Sequence, residues 1–197
     1  MLDPKKTNDL LNKLLMIAKE DRASKPYSKD ESFIPKIIFI GPNDETVIGP
    51  MTWRNEAEKY EKMALASDAA KAMCAQAIAF VSDTRWLQSD KFNEHFKIEG
   101  PATPLTDKTV KEYQTRYYAI LSNYGGLIKN LPRHLWNEAV MAAIKGPRCG
   151  THSILAPYTQ GPGDRVQYLT RDQSKFAGER NPEEWKEHMN LIPEWWQ

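Results

Sequence analysis

Residues 77–86 read AIAFVSDTRW, an apolar segment running into Ser82, Asp83, Arg85 and Trp86. A carboxylate and a guanidinium so close together, at what reads as a strand end, form the sharpest polar pair in the chain, because sheets present binding groups where strands stop. If the indole of Trp86 walls Asp83 off from water, desolvation raises the acid's pKa and poises it to give or take a proton. The competing reading is architectural: Ser82 and Asp83 satisfy backbone N–H groups in a turn while Trp86 fills the edge of the core. The architectural reading is preferred, since no catalytic partner for Asp83 is evident.

His152, in CGTHSILA, is the third candidate. Its neighbour Ser153 points to the opposite face of a strand, so the two form no dyad. Cys149 can approach His152 across the Gly150 bend, but a thiolate–imidazole nucleophile needs a third group to orient the imidazole, and none is evident. His95, His134, His152 and His188 show no H-x-H or H-x-x-x-H spacing, so a metal site is not expected. The two cysteines, Cys74 and Cys149, make no C-x-x-C pair, which argues against a disulfide framework and for a reducing compartment. The glycines of QGPGDR sit in a hairpin turn where Pro162 has no N–H to offer, so no phosphate cradle is expected. Asp83, Arg85 and His152 are thus the catalytic candidates of an enzyme reading without a reaction class, and no cofactor is implied.

A second set of residues suits contact rather than catalysis. Trp185, Trp195 and Trp196 crowd the C-terminus beside Ile192, and such a terminus is buried either on its own domain or in a partner. Near the N-terminus, Leu10, Leu11, Leu14, Leu15 and Ala18 form one stripe of an amphipathic helix that also needs a cover. Leu11, Leu15, Trp185, Ile192, Trp195 and Trp196 are therefore the binding candidates for a protein partner or a second copy, Trp being a favoured interface anchor.

The elements that must position these residues follow from periodicity and turn chemistry. Residues 1–23 read as the amphipathic helix, with Asp3 as cap and Pro4 at the first helical position. The polar EDRASKPYSKDES reads as a linker. KIIFIGPNDETVIGPM reads as a β-hairpin turning at Gly41, Pro42, Asn43 and Asp44. Residues 54–75 read as a helix carrying a Glu58–Lys62 ion pair, which leads into a short central strand, Ile78–Val81.

Residues 105–146 read as an inserted helical hairpin. Val110, Tyr113, Tyr117, Ile120 and Leu121 make the first stripe, stopped by a glycine pair. Leu135, Ala139, Val140, Ala143 and Ile144, after Pro132, make the second, stopped by Gly146 and Pro147. A second β-hairpin follows, Thr151–Tyr158 and Arg165–Thr170, turning at Gly161, Pro162 and Gly163. The 181–197 tail opens with Asn181 and Pro182 as a short helix. The expected fold is α+β: one domain over 34–180, with a mixed sheet of about five strands and helices mainly on one face.

The hairpin, helix, A-x-A-I-A-F-V-S-D-x-x-W run and late hairpin together resemble a group of small uncharacterised bacterial and phage proteins, in which a strand ends in Val-Ser-Glu-Ala-Trp. The matching residues are Val81, Ser82, Asp83 and Trp86, with Thr84 and Arg85 standing where the group has a single Ala. The resemblance implies no activity, cofactor or catalytic residue; it points to a phage origin.

Bulk composition narrows the functional classes. In 197 residues, 41% are hydrophobic and 27% charged, which fits a chain that buries a core rather than a disordered one. With 27 basic against 26 acidic residues, and no run of Lys and Arg longer than two, a nucleic-acid binder would need Lys and Arg from separate segments to form one stripe. No apolar run approaches the roughly 20 residues that span a bilayer, and MLDPKKTNDLLNKLLMIAKEDR lacks the uninterrupted apolar centre of a signal peptide. A non-enzymatic interaction or assembly protein of the cytoplasm, or of a virion if phage-encoded, is the expectation. A small enzyme with a pocket near Asp83, Arg85 and His152 is the alternative.

Overall fold

Proline's fixed φ suits the first turn of a helix, and helix α1 (Pro4–Ala23) begins at Pro4 in a computed structural model that describes residues 4–27, 34–54, 56–100, 106–169 and 192–196. The β-branched run at 36–40 forms strand β1 (Lys36–Ile40). A turn with Asp44 at positive φ leads into β2 (Thr46–Pro50). Helix α2 (Glu56–Ala72) carries the expected ion pair, with Glu58 Oε1 3.0 Å from Lys62 Nζ. Strand β3 (Ala77–Leu87) follows, then helices α3 (Ser89–Phe96) and α4 (Asp107–Asn123). Thr106 caps α4, and Gly125 and Gly126, both at positive φ, close it as the glycine pair foretells. Strands β4 (Trp136–Gly146), β5 (Gly150–Gln160) and β6 (Val166–Tyr168) complete the described elements.

The fold is α+β. Its sheet has six strands rather than about five, in the order β2-β1-β3-β4-β5-β6, and every pairing is antiparallel. Helices cover both faces, not mainly one. Leu11, Leu14 and Ala18 of α1 pack over Ile38, Ala79, Val81, Val140, Ala142 and Ile144. On the other face, Met63, Ala66 and Ala70 of α2 pack over Ile37, Phe39, Ile78, Phe80, Met141 and Ala143. Burying each such Leu or Met contributes roughly 1.5–3 kcal/mol.

Two expectations about elements are overturned. The second helix of the expected helical hairpin is strand β4, whose partners run from Leu87↔Trp136 to Ile78↔Lys145 on one side and from Glu138↔Tyr158 to Gly146↔Gly150 on the other. Both of its faces are buried, so the polar–apolar alternation that marks a strand is missing, and tertiary pairing overrides the helix preference of its alanines. Gly146 ends the strand against β3: a Cβ there would lie 2.6 Å from the Gln76 carbonyl oxygen, so only glycine fits. The second overturned expectation is the end of the central strand. It continues past Val81 to Leu87, which places Asp83 and Arg85 inside a strand.

The helices between β3 and β4 are α3 and α4, and they enclose a third apolar cluster of Leu87, Phe92, Leu121, Leu131, Leu135 and Trp136. The C-terminal segment docks on the α2 face, where Ile192 and Trp195 are buried. The Trp195 indole donates to the Ala75 carbonyl at 2.9 Å, and Lys145 Nζ donates to the Ile192 carbonyl at 2.6 Å. The short helix expected after Asn181, and Trp185 with it, lie outside the described residues.

Candidate functional site

Strand β1 stops opposite Val81, so from Ser82 onward β3 pairs with β4 alone. Alternation along β3 sends Asp83 and Arg85 to the α1 face and Ser82 and Trp86 to the α2 face. Trp86 packs in the α2-side core accordingly. It therefore cannot wall off Asp83, and the proposed desolvating role of its indole is set aside.

What surrounds Asp83 and Arg85 is a buried polar cluster assembled from five segments. Arg22, at the end of α1 and 1% exposed, places Nε 3.4 Å from Asp83 Oδ2 and donates through Nε to the Tyr158 hydroxyl at 3.3 Å. The Tyr158 hydroxyl in turn donates to Asp83 Oδ1 at 2.9 Å. Arg85 Nε donates to Glu138 Oε1 at 3.0 Å. The other oxygen of Glu138 accepts from Tyr27 at 2.8 Å and from Arg133 Nη2 at 3.3 Å, and Arg133 Nε donates back to the Tyr27 hydroxyl. Glu138 has no exposed surface.

Burial sets the electrostatics. Desolvation pushes the Tyr158 phenol well up, with the charges of Asp83 and Glu138 adding to it, and does the same to Tyr168. Tyr27 rises through burial and then through its bond to Glu138. Tyr27 and Tyr158 therefore stand as neutral donors to the carboxylates, and Tyr168 donates to the Lys19 carbonyl at 3.0 Å. At Arg22, burial opposes the charge, but Tyr158, Asp83 and Glu138 outweigh it and the guanidinium's pKa is raised.

His152 is not part of this cluster. It lies opposite Ile144, whereas Asp83 lies opposite Val140, whose β5 partner is Ala156; four residues of strand separate the rows, about 13 Å. His152 Nε2 meets the Cys149 carbonyl oxygen at 2.6 Å, not the thiol. Burial pushes the Cys149 thiol's pKa up, the opposite of what a nucleophilic cysteine needs. Asp83 and Arg85 are thus brought together, and His152 is left apart.

Sequence reasoning missed Arg22, Tyr27, Arg133, Glu138 and Tyr158. Tyr27 lay in what read as a linker, yet it is buried and its N–H donates to the Asp164 carbonyl at 2.6 Å. Glu138 left one signal, a lone acid in the apolar run 135–144, which must be paired if that run is buried.

Beside the cluster an open cavity of about 560 Å³ is lined by Gln88, Lys91, Arg133, His134, Trp136, Asn137, Tyr158, Thr159 and Leu169. Among the described residues no group of three or more His, Cys, Asp or Glu could hold a metal ion. No described helix is long and apolar enough to cross a membrane.

The contact candidates divide. Leu11, Ile192 and Trp195 are buried within their own chain, Leu15 is partly buried against the α1-side core, and Trp196 is 37% exposed. The exposed apolar surface of the sheet lies instead on β2, where Val47 is 50% and Ile48 62% exposed, with Ile34 exposed nearby. No family model matches this chain, and neither a curated protein nor a solved structure matches it.

Proposed function

We propose that this protein is a non-enzymatic assembly protein that joins a second copy of itself through the edge of β2, which no described strand pairs. The observation that carries the reading is an uncharged, apolar edge strand at one end of the sheet order, the kind of edge that pairs with another chain unless it is guarded.

Hydrogen bonding decides which backbone groups that edge offers. Gly41 N–H donates to the Glu45 carbonyl and Met51 N–H donates to the Pro35 carbonyl, so the odd-numbered residues of this strand face β1. Thr46, Ile48 and Pro50 therefore face outward, and Pro50, which has no N–H, sits where the β1 ladder loses nothing. An antiparallel pair centred on Ile48 makes two kinds of bond, each twice: Ile48 N–H to the copy's Ile48 carbonyl, and Thr46 N–H to its Pro50 carbonyl, while the Thr46 carbonyl, opposite Pro50, gains no backbone donor. The same register sets Val47 across from Gly49, whose Cβ position has nothing within 4 Å. Such self-complementarity is what a two-fold interface requires.

The internal use of Leu11, Ile192 and Trp195 supports moving the contact surface from the termini to this edge. The separation of His152 from Asp83 and Arg85 weighs against the enzyme alternative. The likeness at Val81–Trp86 to small phage and bacterial proteins supports an accessory or virion component as the setting.

Light scattering on the full chain tests the proposal. The expected result is a dimer that Ile48→Lys and Val47→Glu convert to a monomer of unchanged circular dichroism. A monomeric wild-type chain at every concentration, or a dimer unaffected by both substitutions, overturns it.

A further inference from the structure

We infer that the cavity beside the polar cluster is a binding site for a small oxyanion, a phosphate- or carboxylate-bearing molecule. The inference does not rest on self-association, since the site and β2 lie toward opposite ends of the strand order.

The first support is the chemistry of the lining. Among the described residues the cavity lining holds no Asp or Glu, while Lys91 from α3 and Arg133 from the β4 approach bring positive charge and Gln88, Asn137 and Tyr158 bring amide and hydroxyl groups. A concave site with cations, neutral polar groups and no carboxylate favours an anion at short range.

The second support is a surplus behind the wall. Among the described residues, the three guanidinium groups of Arg22, Arg85 and Arg133 face two carboxylates, Asp83 and Glu138, so this part of the cluster carries more positive than negative charge. Arg22 Nη2 and Arg85 Nη2 are buried with no hydrogen-bond partner among the described residues. Buried donors are normally satisfied, and an unsatisfied one calls for an explanation such as an ion. Arg85 Cζ lies 5.7 Å from the ring of Trp136, so a buried guanidinium stands behind a residue that lines the cavity, next to Arg133, which lines it directly. Buried charges are screened less than exposed ones, so their field contributes at the inner wall of the cavity, while its open side is screened by water.

Lys91 is the residue to vary, because it is exposed and outside the buried cluster. The experiment is a nuclear magnetic resonance titration of the full chain with inorganic phosphate and, separately, citrate, each against sodium chloride at matched ionic strength. The readouts are the Arg133 Nε–H and the backbone amides of Gln88, Lys91 and Asn137. The expected result is a saturable shift confined to these groups for at least one of the two anions, with affinity lowered by about tenfold in Lys91→Glu. Saturation by phosphate alone or by citrate alone names the source of the oxyanion. Shifts that chloride reproduces, shifts that never saturate, or equal affinity in wild type and Lys91→Glu overturn the inference.

Discussion

Arg85 and Glu138 stand directly opposite each other on β3 and β4, joined by a 3.0 Å hydrogen bond from Arg85 Nε to Glu138 Oε1. The carboxylate is wholly buried, and its second oxygen serves Tyr27 and Arg133. Removing one member of a buried charge pair costs more than the pair contributes, because the survivor stays buried and uncompensated. Glu138→Gln keeps the shape and removes the charge, so it is expected to cost about 3 kcal/mol or more in urea denaturation. Replacing both partners, as Arg85→Met with Glu138→Leu, is expected to cost less than the single change, the remaining cost being the acceptor that Tyr27 and Arg133 lose. Equal losses in the two variants would show that packing, not charge, holds this corner.

The raised phenols give the protein an alkaline limit. Tyr27, Tyr158 and Tyr168 have folded-state pKa values above the ordinary 10.0, burial being the first cause in each. Above that value the unfolded chain sheds protons that the folded chain retains, so stability is complete below about pH 10 and falls as pH rises beyond it. Tyr158→Phe should make that fall shallower, and the tyrosinate absorbance that belongs to Tyr158, read as the difference between wild type and Tyr158→Phe, should appear together with unfolding rather than ahead of it. A Tyr158 that titrates near its ordinary value in the folded protein would contradict its burial beside Asp83.

The two adjacent tryptophans of the tail should behave differently. Trp195 is buried with its indole N–H on the Ala75 carbonyl, whereas Trp196 is 37% exposed and lies over Lys145. Trp195→Ala is expected to lose about 3 kcal/mol, the range for emptying a large core site. Trp196→Ala is expected to lose less than about 1 kcal/mol. Denaturation midpoints of the two variants decide it, and similar losses would place both rings in one environment.

How much of this was legible in the sequence depended on whether the physics was local. Both β-hairpins and the α4 stop follow from glycine, proline and asparagine at turns, whose constraints act within a few residues. The wall of β4 was not legible, because Ala139 through Ile144 face apolar partners on both sides and their alternation carries no polar mark. The cluster at Asp83 was half legible. Its β3 members stood out as charges after an apolar run, but Arg22, Tyr27 and Tyr158 reach it only through α1, the segment after it, and β5, and no spacing rule connects positions so distant. The same non-locality hid His152's true row, since pairing register appears only in the assembled sheet.

The small residues of the central strands set how closely α1 can approach, and this yields a last test. Ala79 and Ala142 lie on the α1 face with no exposed surface, in the same cluster as Leu11, Leu14 and Ala18. Interiors are packed as tightly as organic crystals, so a longer side chain at Ala142 has nowhere to go but into the helix above. Ala142→Leu should cost about 1–3 kcal/mol by overpacking. Because Arg22 lies near the end of α1, the strain should reach the polar cluster: lifting the helix lengthens the Arg22–Asp83 contact of 3.4 Å and withdraws the Arg22 donor from the Tyr158 hydroxyl, which keeps its bond to Asp83. The expected signature is faster hydrogen exchange in the last turn of α1 together with a Tyr158 pKa raised further, because the Arg22 hydrogen bond and charge that hold it down are withdrawn. A loss of stability with Tyr158 unmoved would mean that the α1 end is anchored independently of the sheet beneath it.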